Sequence, residues 1–99
     1  MAFVTENENG RIIIRAGGVI DFYEANAFRN EIIAGFESGD DITIDLGQVS
    51  GCDLTCIQVL CSAGKTAART KKRLELINIP DSVSELMKET FLAADRLGG

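Results

Sequence analysis

Short apolar runs bounded by turn residues predict the strands of this chain. The runs at 11–15 and 42–46 are rich in isoleucine, and a third run occupies 74–79. A weaker apolar pattern at 2–7 predicts a further strand at the edge of a sheet. Ala16-Gly17-Gly18 is expected to end the strand at 11–15, because glycine weakens a strand interior.

Between these runs, apolar residues recur every three or four positions, which is the spacing of one helical face. This spacing predicts helices at 23–37 and 55–70, and a third helix that begins at Pro80 or Asp81. Asp21 precedes the first helix and is expected to cap it with a side-chain oxygen. The alternation of strands and helices predicts the α/β class, with a mostly parallel central sheet and packed helices.

Length and composition agree with one globular domain over residues 1–99. The chain is 45% hydrophobic and 25% charged, which is ordinary for a domain that can bury a core. Its net charge of −5 argues against nucleic-acid binding, because nucleic-acid binders carry a basic face. No apolar run is long enough to span a membrane, and residues 1–9 lack a secretory signal pattern, so we expect a cytoplasmic protein.

The residues that catalysis or metal binding usually requires are scarce. The chain has no histidine and three cysteines, Cys52, Cys56 and Cys61, so it can form neither a Ser-His-Asp triad nor an ordinary zinc site. We expect the cysteines to be reduced and packed as small apolar residues. Asp45 and Asp53 are interpreted as a residue that closes a strand and a helix cap, with an acid–base pair as the alternative. We therefore expect no enzymatic activity, no cofactor and no metal.

The segment at 42–57 leads from a strand into Asp-x-Thr at a helix start. It resembles the signature loop of STAS domains, the fold of bacterial anti-sigma factor antagonists. There, a hydrophobic strand ends in Asp-Leu, and a short loop leads to Asp-Ser/Thr-Ser/Thr-Gly-Leu at the head of a helix. The positions that fit are Asp45, Leu46, Asp53, Thr55 and Ile57, whereas Leu54 and Cys56 differ. Further matches are Gly18, Ile20 and Asp21 before the first helix, and Asn78, Ile79, Pro80 and Val83 at the third.

The resemblance implies a phosphorylation switch at Thr55. In anti-sigma factor antagonists, a partner kinase phosphorylates the second hydroxyl of this motif, and Thr55 occupies that position. The unphosphorylated domain would bind an anti-sigma factor or switch-type kinase, phosphorylation would release it, and a phosphatase would reset it. The domain would act as a monomer or weak dimer. The position of Thr55 in the sequence leaves an alternative open, in which Thr55 is an ordinary helix-start residue whose hydroxyl accepts a hydrogen bond from a backbone N–H group.

The expected partner surface comprises the loop at 48–56 and the exposed face of the helix that follows. The residues assigned to it are Asp21, Ser50, Asp53, Leu54, Cys56, Gln58 and Ser62. Two other functions stay open. One is an accessory subunit of a phospholipid-trafficking ABC transporter, in which such STAS proteins use a Thr at the position of Leu54. The other is a constitutive chemosensory or receptor adaptor.

Overall fold

The computed structural model describes the backbone of residues 3–39 and 41–96, and the side chains of these residues up to 89. Four strands form one sheet in the order β1-β2-β3-β4. β1 is antiparallel to β2, whereas β2 with β3 and β3 with β4 are parallel. The predicted α/β class with a mostly parallel sheet is confirmed. The elements are β1 (Phe3–Glu8), β2 (Arg11–Ile20), α1 (Phe22–Ser38), β3 (Asp41–Cys52), α2 (Leu54–Thr70), β4 (Arg73–Ile77) and α3 (Asp81–Arg96).

β2 runs past the glycines that were expected to end it. It pairs with β3 from Arg11 to Ile20, with register shifts between Arg15 and Gly17 and between Gly18 and Val19. Gly18 has φ +76°, a left-handed conformation that glycine adopts without a steric penalty. The prediction of a break was therefore wrong, because the glycines absorb irregularities within a continuing strand.

β3 likewise continues through the segment predicted to be a loop. Gln48 and Val49 pair with the two glycines of β2, and the ladder extends to Cys52, which lies opposite Ile20. The polar and glycine-rich composition indicated a turn, but the neighbouring strand supplies hydrogen-bond partners to this backbone. As a result β2 and β3 end side by side, and the helices that follow them start side by side.

The core lies between the sheet and the helices. Ile14, Ile42 and Ile44 of the sheet are fully buried, as are Phe28 of α1 and Ile57 of α2. α1 and α2 also contact each other. α3 begins at Asp81, one of its two predicted starts, and the Ser84 N–H donates to the Pro80 carbonyl oxygen at 2.9 Å. No helix in the described part of the chain is long and apolar enough to cross a membrane.

A buried hydroxyl in β3 gives a stability prediction. Thr43 is 2% exposed, and its Oγ1 has no hydrogen-bond partner among the described residues. Thr43→Val should raise the free energy of unfolding by about 1 kcal/mol, because the unsatisfied group is removed at nearly constant shape. Urea denaturation measures the change. Thr5→Val is the matched control on an exposed strand: the Thr5 Oγ1 donates to Glu31 Oε2 at 2.8 Å, so loss of that hydroxyl should not stabilise the domain. A Thr43→Val variant less stable than wild type would contradict the assignment.

Candidate functional site

Two aspartates cap the helices that leave the sheet at neighbouring points. Asp21 Oδ1 accepts hydrogen bonds from the N–H groups of Tyr23 and Glu24, at 3.0 and 3.1 Å. Asp53 Oδ1 accepts from the Cys56 N–H at 3.2 Å. The two junctions are joined directly, since the Asp53 N–H donates to the Ile20 carbonyl oxygen at 3.5 Å. Both aspartates are therefore helix caps, as the sequence predicted, and they place the first turns of α1 and α2 at one end of the sheet.

Thr55 is the second residue of α2 and is partly exposed. Its hydroxyl makes no hydrogen bond to any residue that the structure describes. The alternative in which the Thr55 hydroxyl caps the helix is therefore wrong, because Asp53 fills that role. The Thr55 hydroxyl, unbonded among the described residues, thus lies in the first helical turn. There the backbone N–H groups lack intrahelical partners and the helix dipole is positive.

A groove between α1 and α2 runs away from Thr55. Near the helix starts it is lined by Phe22, Tyr23 and Thr55, and Arg29 and Val59 line both this part and the part farther along the helices. Tyr23 is 86% exposed and Phe22 is 69% exposed, and their rings meet edge to face with centroids 5.7 Å apart. Such exposure of two adjacent aromatic side chains is unusual for a protein surface and is typical of interaction sites.

Sequence reasoning did not identify this aromatic pair. Phe22 precedes Ala25 by three positions and so fits the apolar stripe of α1, which makes it resemble a core residue. The pair could have been predicted from the fact that Phe22 and Tyr23 are adjacent in the sequence. Neighbouring residues of a helix point in different directions, so Phe22 and Tyr23 cannot both follow a narrow core stripe.

Most residues assigned to the partner surface are accessible. Ser50, Gln58 and Ser62 are exposed, and Ser62 lies on the wall of the groove. Leu54 is 53% exposed, an apolar side chain next to Thr55. Cys56 is the exception. Its side chain is 1% exposed within the core, so it cannot present a contact surface, contrary to the prediction.

The cysteines also depart from expectation. The Sγ atoms of Cys52 and Cys56 form a disulfide, with Cα atoms 5.8 Å apart, instead of two separate thiols. The bond joins the end of β3 to the first turn of α2 and encloses Asp53, Leu54 and Thr55. The pairing is local, because Cys52 directly precedes the Asp53 cap and Cys56 lies in the first turn of α2. Cys61 is a free thiol, and burial raises its pKa, partly offset by the charge of Lys65.

Asp45 does not join Asp53 in a reactive pair. It lies within β3, well before Asp53, and a strand advances about 3.3 Å per residue. Its Oδ1 accepts hydrogen bonds from the Gly47 N–H at 2.9 Å and from Asn78 Nδ2 at 3.2 Å. Asp45 therefore links the end of β4 to β3 instead of closing a strand. Within the described residues, no group of three or more His, Cys, Asp or Glu side chains could hold a metal ion.

The Asp53 cap can be tested by substitution under reducing conditions. Asp53→Ala should lower the free energy of unfolding by about 1 kcal/mol, because the Cys56 N–H loses its acceptor. Asp53→Asn should retain most of the stability, since an asparagine oxygen accepts the same bond. Urea denaturation monitored by circular dichroism gives both values. Equal losses in the two variants would contradict the capping role.

Comparison with known proteins identifies the fold. A family model described as "Mlab, STAS domain" matches residues 4–97. An anti-sigma factor antagonist from Mycobacterium paratuberculosis superposes with a TM-score of 0.81 at 18% identity, over 95% of this chain and 80% of that one. The anti-sigma factor antagonist SpoIIAA in its unphosphorylated form gives a TM-score of 0.74 at 17% identity, over 99% of both chains.

The same fold also occurs within longer proteins. A structure described as "Crystal Structure Analysis of Mglu" superposes with a TM-score of 0.71 at 19% identity, and the match covers 81% of this chain but only 20% of that one. No curated protein matches the chain. Identities at this level show a shared fold, whereas the family model covers nearly the whole sequence. The chain therefore belongs to the STAS domain family.

Proposed function

We propose that this chain is a phosphorylation-controlled protein-binding module of the anti-sigma factor antagonist type. The observation that carries the proposal is the position of Thr55, whose hydroxyl is partly exposed and unbonded among the described residues at the N-terminus of α2. The unphosphorylated module binds an anti-sigma factor or switch-type kinase in the cytoplasm. Phosphorylation of Thr55 releases that partner, a phosphatase restores the binding form, and the module itself catalyses no reaction.

The helix N-terminus can accept a phosphate without a change of fold. A phosphothreonine carries between one and two extra negative charges and three strong acceptor oxygens. The unpaired N–H groups of the first turn and the positive end of the dipole favour such an anion. The Asp53 carboxylate, which already holds the Cys56 N–H, repels it and directs it toward solvent. Phosphorylation therefore changes the surface more than it changes the stability of the domain.

The surroundings of Thr55 explain why a phosphate would release a partner. Phe22 and Tyr23 are exposed apolar side chains that line the groove between α1 and α2 together with Thr55, and Leu54, which precedes Thr55, is exposed as well. A partner that buries these side chains also removes Thr55 from water. A phosphate at Thr55 would then need a matching cation or lose its hydration, and that loss costs more than the apolar contacts contribute.

A second candidate is an accessory subunit of a phospholipid-trafficking ABC transporter. It is supported by the matching family model, which is described as "Mlab, STAS domain" and not as an anti-sigma factor antagonist. Leu54 opposes it, because it occupies the position at which such subunits use a Thr. A constitutive adaptor, the third possibility, would use the same apolar surface without any modification of Thr55.

Mass spectrometry of the protein purified from its native cells tests the proposal. We expect a fraction of the protein to carry one phosphate, placed by fragmentation on Thr55 and not on Ser50 or Ser62. Treatment with a protein phosphatase should remove it. A protein that is never phosphorylated in growing or stressed cells would favour a constitutive module. Phosphate on Ser50 or Ser62 alone would place the switch elsewhere on the surface.

A further inference from the structure

We propose that Cys52 and Cys56 form a redox modification site that exchanges with thiol reductants. The two sulfur atoms are bonded in the structure, across the junction of β3 and α2. In the reducing compartment that the proposed function implies, most disulfides are transient or redox-sensing, so a pair at this junction is a candidate for reversible exchange. The ring that the bond closes contains Thr55, although the redox site itself does not require that Thr55 be phosphorylated.

The difference in exposure between the two cysteines determines which sulfur atom an incoming thiolate attacks. Cys52 is partly exposed, whereas Cys56 is 1% exposed. An incoming thiolate therefore attacks Cys52 Sγ, forms a mixed disulfide and displaces the Cys56 thiolate. That leaving group lies in the first turn of α2, where the helix dipole stabilises an anion.

A second thiol completes the reduction. It attacks the reductant's sulfur in the mixed disulfide and releases the Cys52 thiolate, so that two thiols of the reductant become one disulfide. The two protein thiolates take up the two protons that the attacking thiols lose. Electrons and atoms balance, with two electrons transferred from the reductant to the protein.

The fold can accommodate the reduced state as well. Cys52 Sγ lies 3.7 Å from the Asp53 carbonyl oxygen, so the free thiol has an acceptor in place. Cys56 packs in the apolar core, where a thiol behaves as a small hydrophobic side chain. The cap of α2 uses the Cys56 N–H and not its sulfur, and so it persists in both states. Reduction therefore alters the rigidity of residues 52–56 without unfolding the domain.

Cys61 provides an internal control. It is a free cysteine on the same helix, and it has no sulfur partner among the described residues. It lines a different surface, between α2 and Met87 of α3. A general sensitivity to oxidants would involve Cys61, whereas the proposed site involves only the other two cysteines.

The consequence for Thr55 rests on the proposed function. With the bond intact, the first turn of α2 is tied to β3, so local opening that presents Thr55 to a kinase is suppressed. With the bond reduced, the turn is held by the Asp53 cap and can open. Amide exchange at Cys56 and Ile57, whose N–H groups are hydrogen-bonded to Asp53, should be slower in the oxidised form by roughly tenfold, as expected for cross-linking a short loop.

The test equilibrates the protein in glutathione buffers of graded potential, and in parallel with a thioredoxin-type dithiol protein, followed by acid quenching, alkylation in denaturant and mass spectrometry. We expect one alkylated thiol in the oxidised limit and three in the reduced limit. Cys61→Ser should lose one label in both limits, and Cys52→Ser should abolish the redox response. Response to glutathione, to the dithiol protein or to both would identify the reductant.

Three free thiols at every potential, or a bond that involves Cys61, would overturn the site. Equal amide exchange in the two forms would overturn its effect on the first turn of α2. These readouts need no partner protein, so they stay separate from the proposed function. A site that responds to glutathione while Thr55 is never phosphorylated would support the redox inference and contradict the phosphorylation switch.

Discussion

Thr55→Glu is expected to weaken binding of the partner kinase or anti-sigma factor by about hundredfold, because burying an unpaired carboxylate in an interface costs roughly 3 kcal/mol. The variant should stay folded, since an acidic residue in the first turn of a helix is tolerated or stabilising by about 0.3–1 kcal/mol. Calorimetry measures the affinity, and urea denaturation measures the stability. A loss of affinity without a loss of stability would show that Thr55→Glu acts on the interface and not on the fold.

Two further substitutions at Thr55 serve as controls. Thr55→Ala should bind the partner as wild type does and resist phosphorylation. It should also be slightly more stable, by about 0.5 kcal/mol, because Asp53 and not Thr55 caps α2 and alanine is the better helix former. Thr55→Ser should retain both binding and phosphorylation. Equal affinities of the Glu and Ala variants would show that charge at Thr55 does not control the interface.

Loss of the aromatic pair should have the second large effect. Phe22→Ala and Tyr23→Ala are each expected to weaken partner binding by about tenfold or more, because exposed aromatic residues that become buried in an interface are common hot spots of roughly 2 kcal/mol. Both side chains are largely exposed in the isolated domain, so the free energy of unfolding should change little. Surface plasmon resonance measures the affinities, and thermal denaturation measures the stabilities.

Val4 and Phe28 are the matched controls for this pair. Val4 is 50% exposed on the edge strand β1, away from the groove, and Val4→Ala should leave the affinity unchanged. Phe28 is fully buried in the same helix as the pair, and Phe28→Ala should lower the free energy of unfolding by about 3–5 kcal/mol. An affinity that depends on Val4 but not on Tyr23 would place the partner at the sheet edge.

Local chemistry made the helix starts predictable. Asp21 and Asp53 each stand directly before a helical apolar stripe, and a carboxylate in that position satisfies N–H groups whatever the rest of the fold does. The apolar runs of the sheet were equally clear, because Ile42 and Ile44 are buried by α-helices that cover them. These features can be predicted from local sequence patterns and composition alone.

The extent of β3 could not be predicted in this way. Gly47, Gln48, Ser50 and Gly51 have the composition of a turn, and they form a strand because β2 lies beside them. The disulfide has a local origin, since Cys52 and Cys56 lie on either side of the Asp53 cap, four residues apart. It was not predicted because reduced thiols were expected of a cytoplasmic protein. The exposed aromatic pair was missed for another reason, because Phe22 stands three positions before Ala25 and so resembles a residue of the buried stripe of α1.

The most direct test of the switch compares two forms of the wild-type protein, unphosphorylated and fully phosphorylated on Thr55, in calorimetric titrations. The titrant is the kinase that carries out the modification, held without ATP. We predict tight binding of the unphosphorylated form and a loss of about hundredfold in affinity on phosphorylation, reversed by a phosphatase. Equal affinities of the two forms for that kinase would contradict the phosphorylation switch.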